Sequence, residues 1–220
     1  MTIWKSQVGI QRLKEAGAFF TGHFVLTGGK HSDFYIDCAQ ALRSSRLCEF
    51  FGSTIAHQLE DRGVEIDVIV TPAENAIPLG SYVANRLTKL YRYEREPRTV
   101  IASKGEDKSF VFKRGGDQEV DGKKVVVVED LWSTGGSTKK VVELIRKHGG
   151  EVTAVAAIVN RGNVGSKDLG NPPVFFSLVS VAGIPFSEND CQLCKEAVPI
   201  DMDHGHGPAW LAKHPDYPVA

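Results

Sequence analysis

The chain has 220 residues, of which 42% are hydrophobic and 24% are charged. This length and composition fit one sizeable globular domain that can bury a full core without disulfide bonds. The formal net charge is −1, which argues against a surface that binds nucleic acid in general. No apolar run is long enough to cross a bilayer, so the composition also argues against a membrane-spanning protein.

The N-terminal segment reads MTIWKSQVGIQRLKEAG and has the apolar spacing of an amphipathic helix. It lacks the apolar core of a signal peptide. The four cysteines do not form the pattern of a secreted disulfide framework. We therefore expect a cytoplasmic protein.

The rest of the chain alternates between strand and helix patterns. GHFVLTGGKHSDFYIDCAQAL (22–42) predicts short strands around a Gly-Gly turn. Beyond it we predict helices over 46–62, 77–87 and 136–150, and strands over 64–72, 97–103, 123–130, 152–160 and 173–181. This alternation predicts an α/β domain with a mostly parallel central sheet flanked by helices.

A polar, glycine-rich and basic stretch, KGEDKSFVFKRGGDQE (104–119), interrupts this alternation. Its SFVF segment suggests one short hairpin. The basic side chains are Lys104, Lys108, Lys113 and Arg114. The stretch fits either a solvated hairpin or a mobile loop that closes over an anionic substrate.

The most apolar strand pattern, VVVV at 125–128, leads directly into Glu129 and Asp130. In doubly wound sheets, ligands bind beyond the carboxyl ends of the strands, so the two acids are expected at such a crevice. A buried carboxylate pair is costly unless it binds a cation or hydroxyl groups. The pair therefore predicts a binding site.

The following stretch, STGGST, precedes a predicted helix. It comprises Ser133, Thr134, Gly135, Gly136, Ser137 and Thr138. Backbone amides, hydroxyl donors and a helix N-terminus together make a site for a dianionic phosphate. The stretch is neither a Walker A loop nor a GxGxxG motif. A ribose 5-phosphate, with its vicinal hydroxyls on the acids and its phosphate on the loop, would fit both halves.

Apolar residues, Glu-Asp and a Thr-Gly-Gly-Ser loop in this order resemble the motif of type I phosphoribosyltransferases that binds 5-phospho-α-D-ribose 1-diphosphate (PRPP). The resemblance implies the fold of that family, with a central, mostly parallel sheet and a small hood. It places the hood at about 1–45 with parts of the C-terminal segment, the core at about 46–182 and a tail at 183–220, all within one domain (1–220).

Four further stretches are similar to the orotate phosphoribosyltransferases within this family. TPAENAIPLG (71–80) resembles the pyrophosphate loop, which assigns that role to Pro72, Ala73, Glu74, Asn75 and Ala76. Thr71, Asn75 and Ala76 replace glycines of the family pattern. Asn tolerates a left-handed backbone, whereas Ala does so poorly. VIASKGEDKSFVFKRGG (100–116) resembles a short catalytic loop that serves the neighbouring subunit, which favours the mobile-loop interpretation of 104–119.

The expected base-binding residues come from two places. GHFVLTGGKHSDFYID (22–37) resembles the family's N-terminal base-binding region, with Phe34 and Tyr35 as flat apolar surfaces and Lys30 close by. IVNRGNVG (158–165) resembles the turn that carries a carboxylate-binding arginine, here Arg161. Thr27 stands where many members carry Lys, and Asn160 stands where most carry Asp.

The resemblance implies transfer of the 5-phosphoribosyl group from PRPP to orotate in pyrimidine biosynthesis. It implies a homodimer and a Mg²⁺ ion held mostly by substrate oxygens, without a fixed protein ligand. Glu129, Asp130 and Lys104 are the expected catalytic residues. Two alternatives stay open: transfer to another base, and a non-catalytic regulator of the same fold that binds PRPP.

The tail contains CQLCKEAVP (191–199), which resembles the C-terminal Cys-x-x-Cys segment of a subset of the family. Cys191 and Cys194 could bind zinc with histidines nearby in the sequence, which are His204, His206 and His214. Because a second Cys-x-x-Cys pair is missing, the sequence favours a reduced structural turn over a metal site. Residues 201–220 extend beyond the family pattern and suggest a subunit contact or a loose tail.

Overall fold

The computed structural model describes residues 2–92, 94, 96–107, 109–181 and 185–218, the first five of these by their backbone alone. Two short strands, β1 (Phe19–Val25) and β2 (His31–Ile36), form an antiparallel hairpin. Six further strands form the central sheet: β3 (Val68–Pro72), β4 (Arg98–Lys104), β5 (Phe110–Phe112), β6 (Lys124–Trp132), β7 (Glu151–Asn160) and β8 (Val174–Ser180). The order across this sheet is β5-β4-β3-β6-β7-β8, and only the β4–β5 pair is antiparallel.

Helices fill the connections between the strands. They are α1 (Thr2–Glu15), α2 (Cys38–Ala41), α3 (Ser45–Glu60), α4 (Ile77–Leu90), α5 (Gly116–Val120), α6 (Gly136–Lys147), α7 (Gln192–Lys195) and α8 (Gly207–Leu211). The predicted α/β class, with a mostly parallel sheet flanked by helices, is confirmed. The predicted strand over 64–72 begins only at Val68, and the Gly-Gly turn and the SFVF hairpin are both present.

The central strands β3, β6 and β7 are buried on both faces, which explains why they are nearly continuous apolar runs. Successive side chains of a strand point to opposite faces. Val126 and Val128 pack in the same buried cluster as residues of α3 and α4. Val125 and Val127 pack in a second cluster that contains the buried face of α6. The four valines of β6 therefore hold the two helical layers onto the sheet.

Strand β6 is longer than predicted and ends at Trp132 rather than at Asp130. Its pairing with β3 stops at Val127, whereas its pairing with β7 continues to Trp132 and Asn160. The two acids thus lie beyond the last residue of β6 that pairs with β3, but their backbone is still held by β7. This offset exposes one edge of β6 and opens a crevice there.

The N-terminal segment does not stand apart from the core. Leu13, Ala18, Phe34 and Ile36 belong to the same buried cluster as the inner face of α3. The outer side of the hairpin is covered instead by the C-terminal segment, through backbone bridges of His23 with Ile200 and His31 with Phe186.

A small separate cluster lies between the hairpin and the tail. It comprises Val25, Ile200, Trp210 and Leu211, with Tyr217 at its border. Residues 200–217 are thus packed against the hairpin. Within the described ranges, no helix has the length and apolar character needed to cross a membrane.

Candidate active site

A cleft of about 310 Å³ opens at the carboxyl ends of β3, β4 and β6. Three separate segments of the chain line it: residues 73–75, Lys104 and residues 129–138. The pyrophosphate loop, one loop lysine, the acid pair and the phosphate loop predicted from the sequence therefore meet in one place. This convergence follows from the parallel sheet, because the carboxyl ends of its strands share one edge.

The acid pair forms one wall of the cleft. Glu129 is only 8% exposed, and its Oε1 accepts a hydrogen bond of 3.2 Å from the backbone N–H of Asp130. Asp130 Oδ1 accepts one of 2.8 Å from the backbone of Leu131. Burial raises the pKa of Glu129 well above its usual value, and the Asp130 carboxylate raises it further. The free cleft therefore disfavours two negative charges at this position.

The phosphate loop forms the opposite wall. Gly135 has a φ of +76° and immediately precedes α6, so the loop turns into the helix through a left-handed residue. Ser133, Thr134, Gly136 and Ser137 are exposed, whereas Gly135 and Thr138 are buried. The twelve-residue helix α6 adds the partial positive charge of its N-terminus. Exposed hydroxyls and a helix N-terminus suit a dianionic phosphate.

Two glycines allow the turn after β7 to pack directly against this loop. A Cβ atom at Gly135 would lie 2.8 Å from the carbonyl oxygen of Asp168. A Cβ atom at Gly162 would lie 1.6 Å from the carbonyl oxygen of Ser133, which no side chain can do. Gly162 was not predicted as a site residue, although its place directly after the arginine in NRGNVG is a signal for such close approach.

Arg161 is brought next to the phosphate loop by this packing. Its guanidinium is buried, and Nη2 donates a 3.2 Å hydrogen bond to Ser133 Oγ. Its Cζ lies 5.8 Å from the centroid of the Tyr35 ring. Burial lowers the pKa of Arg161, but so strong a base keeps its charge. A buried cation beside an aromatic ring is suited to bind a planar carboxylate.

Asn160 closes the turn that carries Arg161. Its Nδ2 donates to the carbonyl oxygen of Val164, and its Oδ1 accepts from the backbone N–H of the same residue, both at 2.9 Å. Only a side chain with both a donor and an acceptor can make this pair of bonds, which explains an amide at a position where the family pattern has Asp.

The predicted base-binding residues do not all lie at the site. Tyr35 is near Arg161, but Phe34 points the other way and is only 8% exposed. Its ring stacks on Phe19 at 5.6 Å inside the main core. Adjacent residues of a strand face opposite sides, so only one of the two rings can face Arg161, which contacts the cleft-lining Ser133. Lys30 is exposed in the hairpin turn.

The four predicted loop cations also separate. Lys104 ends β4 and lines the cleft. Lys113 and Arg114 are exposed after β5, where they border another depression of about 520 Å³ together with Arg98. Lys108 lies outside the described residues.

The pyrophosphate loop adopts its turn without left-handed residues at the positions of the missing glycines. Ala73, Glu74 and Asn75 line the cleft, while Pro72 and Ala76 are buried on either side. The Ala73 backbone N–H donates to the Ala102 carbonyl at 2.8 Å, and the Ala73–Glu74 peptide is cis. Ala76 has a φ of −79° and caps α4, and Asn75 is not left-handed either. The replacements of glycine are therefore compatible with the loop.

A parallel α/β sheet that sets an acid pair and a Gly-Gly loop at one strand end defines the phosphoribosyltransferase class. The family model of the phosphoribosyl transferase domain matches residues 48–190, and the chain belongs to this family. Orotate phosphoribosyltransferase of Caldicellulosiruptor bescii is 37% identical over 191 residues, which cover 87% of this chain and 93% of that protein. Orotate phosphoribosyltransferase of Thermotoga maritima is 34% identical over 195 residues, covering 89% and 96%.

The fold comparison agrees with this assignment. The crystal structure of Mycobacterium tuberculosis H37Rv orotate phosphoribosyltransferase in complex with PRPP matches with a TM-score of 0.58 and 19% sequence identity. The match covers 81% of this chain and 96% of that one.

The buried acid pair predicts a stability that depends on pH. Because the folded-state pKa of Glu129 lies above the usual 4.5, the folded protein holds its proton more tightly, and Glu129 lowers stability increasingly as pH rises above that value. We expect Glu129→Gln to raise the free energy of unfolding of the ligand-free protein by on the order of 1 kcal/mol at pH 8. The gain should shrink toward zero near pH 4.5.

Urea unfolding of both proteins between pH 4.5 and 8 measures this difference. Glu143→Gln, an exposed change on α6, is the matched control and should show no such pH-dependent gain. An equal or smaller stability of Glu129→Gln at pH 8 would contradict the raised pKa.

Proposed function

We propose that this protein transfers the 5-phosphoribosyl group of PRPP to orotate, forming orotidine 5′-monophosphate and pyrophosphate. The observation that carries the proposal is the single cleft that joins Glu129 and Asp130 to the loop 133–138 and to residues 73–75. The names of the relatives from C. bescii and T. maritima support orotate as the base.

The cleft fits the three parts of PRPP in order. Glu129 and Asp130 accept hydrogen bonds from the ribose hydroxyls. These donors stabilise a buried carboxylate pair, which is costly to keep without hydrogen-bond partners. The hydroxyls and backbone of the loop 133–138 bind the 5-phosphate at the start of α6. Residues 73–75 lie across the cleft and bind the pyrophosphate.

Arg161 and Tyr35 form the base subsite. The guanidinium donates two hydrogen bonds to the orotate carboxylate, and the Tyr35 ring supplies a flat surface for the pyrimidine. Lys30 and Phe34 were also expected here. The exposed position of Lys30 in the hairpin turn and the burial of Phe34 make Arg161 and Tyr35 the better-supported pair.

Catalysis rests on positioning and charge. The bond between C1 of the ribose and the pyrophosphate oxygen breaks with its electron pair on pyrophosphate, and positive charge develops on the ribose. N1 of orotate then bonds to C1 as its proton passes to pyrophosphate or solvent. The acid pair faces the cationic ribose, and Lys104 faces the departing pyrophosphate. Fixed charges of opposite sign on the two sides of the breaking bond stabilise the separated charges of the transition state.

The family uses Mg²⁺, and the cleft fits this ion. Its two adjacent carboxylates offer the hard oxygen atoms that Mg²⁺ prefers. Among the described residues, the cleft holds no group of three metal-binding side chains, which suits an ion held mainly by pyrophosphate, ribose and water oxygens. When bound, Mg²⁺ neutralises pyrophosphate charge.

We also propose a cytoplasmic homodimer. Lys113 and Arg114 border a depression apart from the acid pair of their own chain, which suits these two residues as contributors to the partner's site. The division into a hood, a core and a tail is part of the same proposal, with the hairpin β1–β2 as the hood. Cys38 and Cys48 are buried free thiols, as in proteins of reducing compartments.

An orotate-depletion assay with PRPP and Mg²⁺, followed by ultraviolet absorbance, tests the function. We expect orotate consumption with stoichiometric pyrophosphate release. We expect Asp130→Asn to lower the rate by about 10²-fold or more while the fold survives. Pyrophosphate release with another base but not with orotate would redirect the proposal to that base. Tight PRPP binding without turnover of any base would favour a regulator.

The base subsite predicts a selective effect of Arg161. We expect Arg161→Ala to raise the KM for orotate roughly 10- to 100-fold, because a charged hydrogen-bonded pair is lost. The KM for PRPP should change little. Arg161→Lys should recover only part of the loss, since Lys cannot donate two parallel hydrogen bonds. Steady-state kinetics measure both constants, with Arg62→Ala on the surface as control. An effect confined to PRPP would contradict the assignment.

Lys104 predicts an effect on turnover rather than on binding. We expect Lys104→Ala to lower kcat by about 10²-fold, because the charge on the departing pyrophosphate is then less stabilised. Lys147→Ala, which removes an exposed lysine at the far end of α6, is the matched control. An unchanged kcat for Lys104→Ala would remove Lys104 from the transition state.

A further inference from the structure

Four potential metal ligands meet between the hairpin and the tail, away from the cleft. His23 Nε2, His31 Nδ1, Cys191 Sγ and Cys194 Sγ all lie within 4.8 Å of one another. His23, His31 and Cys191 are 1%, 0% and 0% exposed, and Cys194 is partly exposed. Three of the four ligands are therefore shielded from solvent, and Cys194 is the ligand that solvent can reach.

The distances between these atoms are close to those of a tetrahedral metal site. His23 Nε2 lies 3.5 Å from Cys191 Sγ and 3.6 Å from Cys194 Sγ. His31 Nδ1 lies 3.3 Å from Cys194 Sγ and 2.8 Å from His23 Nε2. Zinc bonds of about 2.0–2.3 Å at tetrahedral angles require donor separations of about 3.3–3.8 Å. Of these four distances, only the one between the two nitrogens needs to lengthen, by about 0.5 Å.

Hydrogen bonds alone account poorly for this cluster. His23 Nδ1 lies 2.8 Å from the carbonyl oxygen of Val198, so Nδ1 carries the hydrogen and Nε2 is a bare lone pair. The hydrogen on His31 Nδ1 then takes that one lone pair, which leaves neither of these two nitrogens free to accept from the thiols of Cys191 and Cys194. One cation can take the place of all three inward-facing hydrogens.

The hydrogen bond from His23 Nδ1 to the Val198 carbonyl is also typical of a metal-bound histidine. A metal-bound histidine usually donates its other ring N–H to a carbonyl or carboxylate, which fixes its tautomer and orientation. The bond holds the His23 ring with Nε2 toward the two sulfur atoms. The buried Cys191 and His31 fix the opposite side of the cluster.

We propose that His23, His31, Cys191 and Cys194 bind a structural Zn²⁺ ion that fastens the C-terminal segment to the N-terminal hairpin. Two thiolates and two imidazoles are a tetrahedral ligand set that this borderline-soft ion favours. Binding displaces the protons of the two thiols into solvent, and the resulting Zn(Cys)₂(His)₂ centre is electrically neutral. All four positions are taken by protein atoms, so the site has a structural rather than a catalytic coordination.

The histidines near the Cys-x-x-Cys segment in the sequence are engaged elsewhere. His204 Nδ1 contacts Asp201 Oδ1 at 3.0 Å, and His206 Nε2 lies 3.2 Å from Thr27 Oγ1. His214 pairs with Glu188 at 2.9 Å and stacks on Trp210. The two histidine ligands come instead from the hairpin, more than 150 residues earlier in the chain.

The site lies where the tail and the hairpin share only a small apolar core. The apolar cluster between hairpin and tail has four buried members, and two backbone bridges flank it. A core this small supplies little stability by itself, and metal binding energy becomes folding energy in such a unit. The ion would therefore hold residues 186–217 in place.

Metal uptake by the reduced wild-type chain tests the proposal without any variant. Metal-free protein, with excess Mg²⁺ and without PRPP, is titrated with Zn²⁺ and separately with Co²⁺. We expect one ion per chain by mass spectrometric metal analysis. Co²⁺ should give thiolate charge-transfer absorption and tetrahedral d–d bands. Zn²⁺ removal should lower the Tm by roughly 5–10 °C and expose the tail to proteolysis.

Two variants separate this site from other binding. Cys194→Ser, at the least buried ligand, should abolish stoichiometric Zn²⁺ binding and the charge-transfer band. His206→Ala, the matched control outside the cluster, should keep both. Each variant is first checked for a folded circular dichroism spectrum.

Several results would overturn the site. One is a reduced wild-type chain that takes up neither ion. Another is a Cys194→Ser variant with unchanged stoichiometry and spectrum. A third is a Cys191–Cys194 disulfide in the isolated protein that binds no metal after reduction. None of these results bears on phosphoribosyl transfer, which the orotate assay measures separately.

Discussion

The offset between β3 and β6 is the constraint on which the site depends. Strand β6 loses its β3 partner after Val127 but keeps its β7 partner to Trp132. The two acids therefore line a crevice beside the end of β3, where β3 and β6 no longer pair, while their backbone stays fixed in the sheet. Because the strands are parallel, the chain leaves β3, β4 and β6 at the same edge. The pyrophosphate loop, Lys104 and the phosphate loop therefore reach the acids directly from the ends of their own strands.

The charges of the site are held in places that are unfavourable in the free protein. Glu129 is a buried acid beside a second acid, and Arg161 is a buried base beside an aromatic ring. Among the described residues, neither Glu129 nor Arg161 forms an ion pair. Burial without such a partner is costly, so each side chain is suited to bind a ligand group that hydrogen-bonds to it. The phosphate loop lies between them, and the Arg161 bond to Ser133 connects the two subsites directly. Such fixed, partly desolvated groups act on reacting charges without reorganisation.

The hairpin connects this site to the second part of the molecule. Tyr35 faces Arg161 on one side, and its ring centroid lies 5.6 Å from that of His204 in the tail on the other. His23 and His31 lie on the same two strands and contact Cys191 and Cys194. A tail fastened to these strands therefore supports the wall that carries the aromatic ring. The main core holds the opposite face of the hairpin through Phe34.

The sequence by itself determined the α/β class, most element positions, and the acid pair with its phosphate loop, because these depend on local periodicity and on residues adjacent in the chain. It did not decide which of Phe34 and Tyr35 faces Arg161, because both fit an aromatic strand and only the packing of the hairpin selects a side. Nor did it place Lys113 and Arg114, whose position depends on how β5 returns along β4. The histidines that contact Cys191 and Cys194 show most clearly what the sequence could not predict. Ligand spacing pointed to histidines nearby in the tail, whereas the fold brought His23 and His31 to the cysteines from the other end of the chain. Contacts between segments so far apart leave no local pattern, so only the tertiary structure decided them.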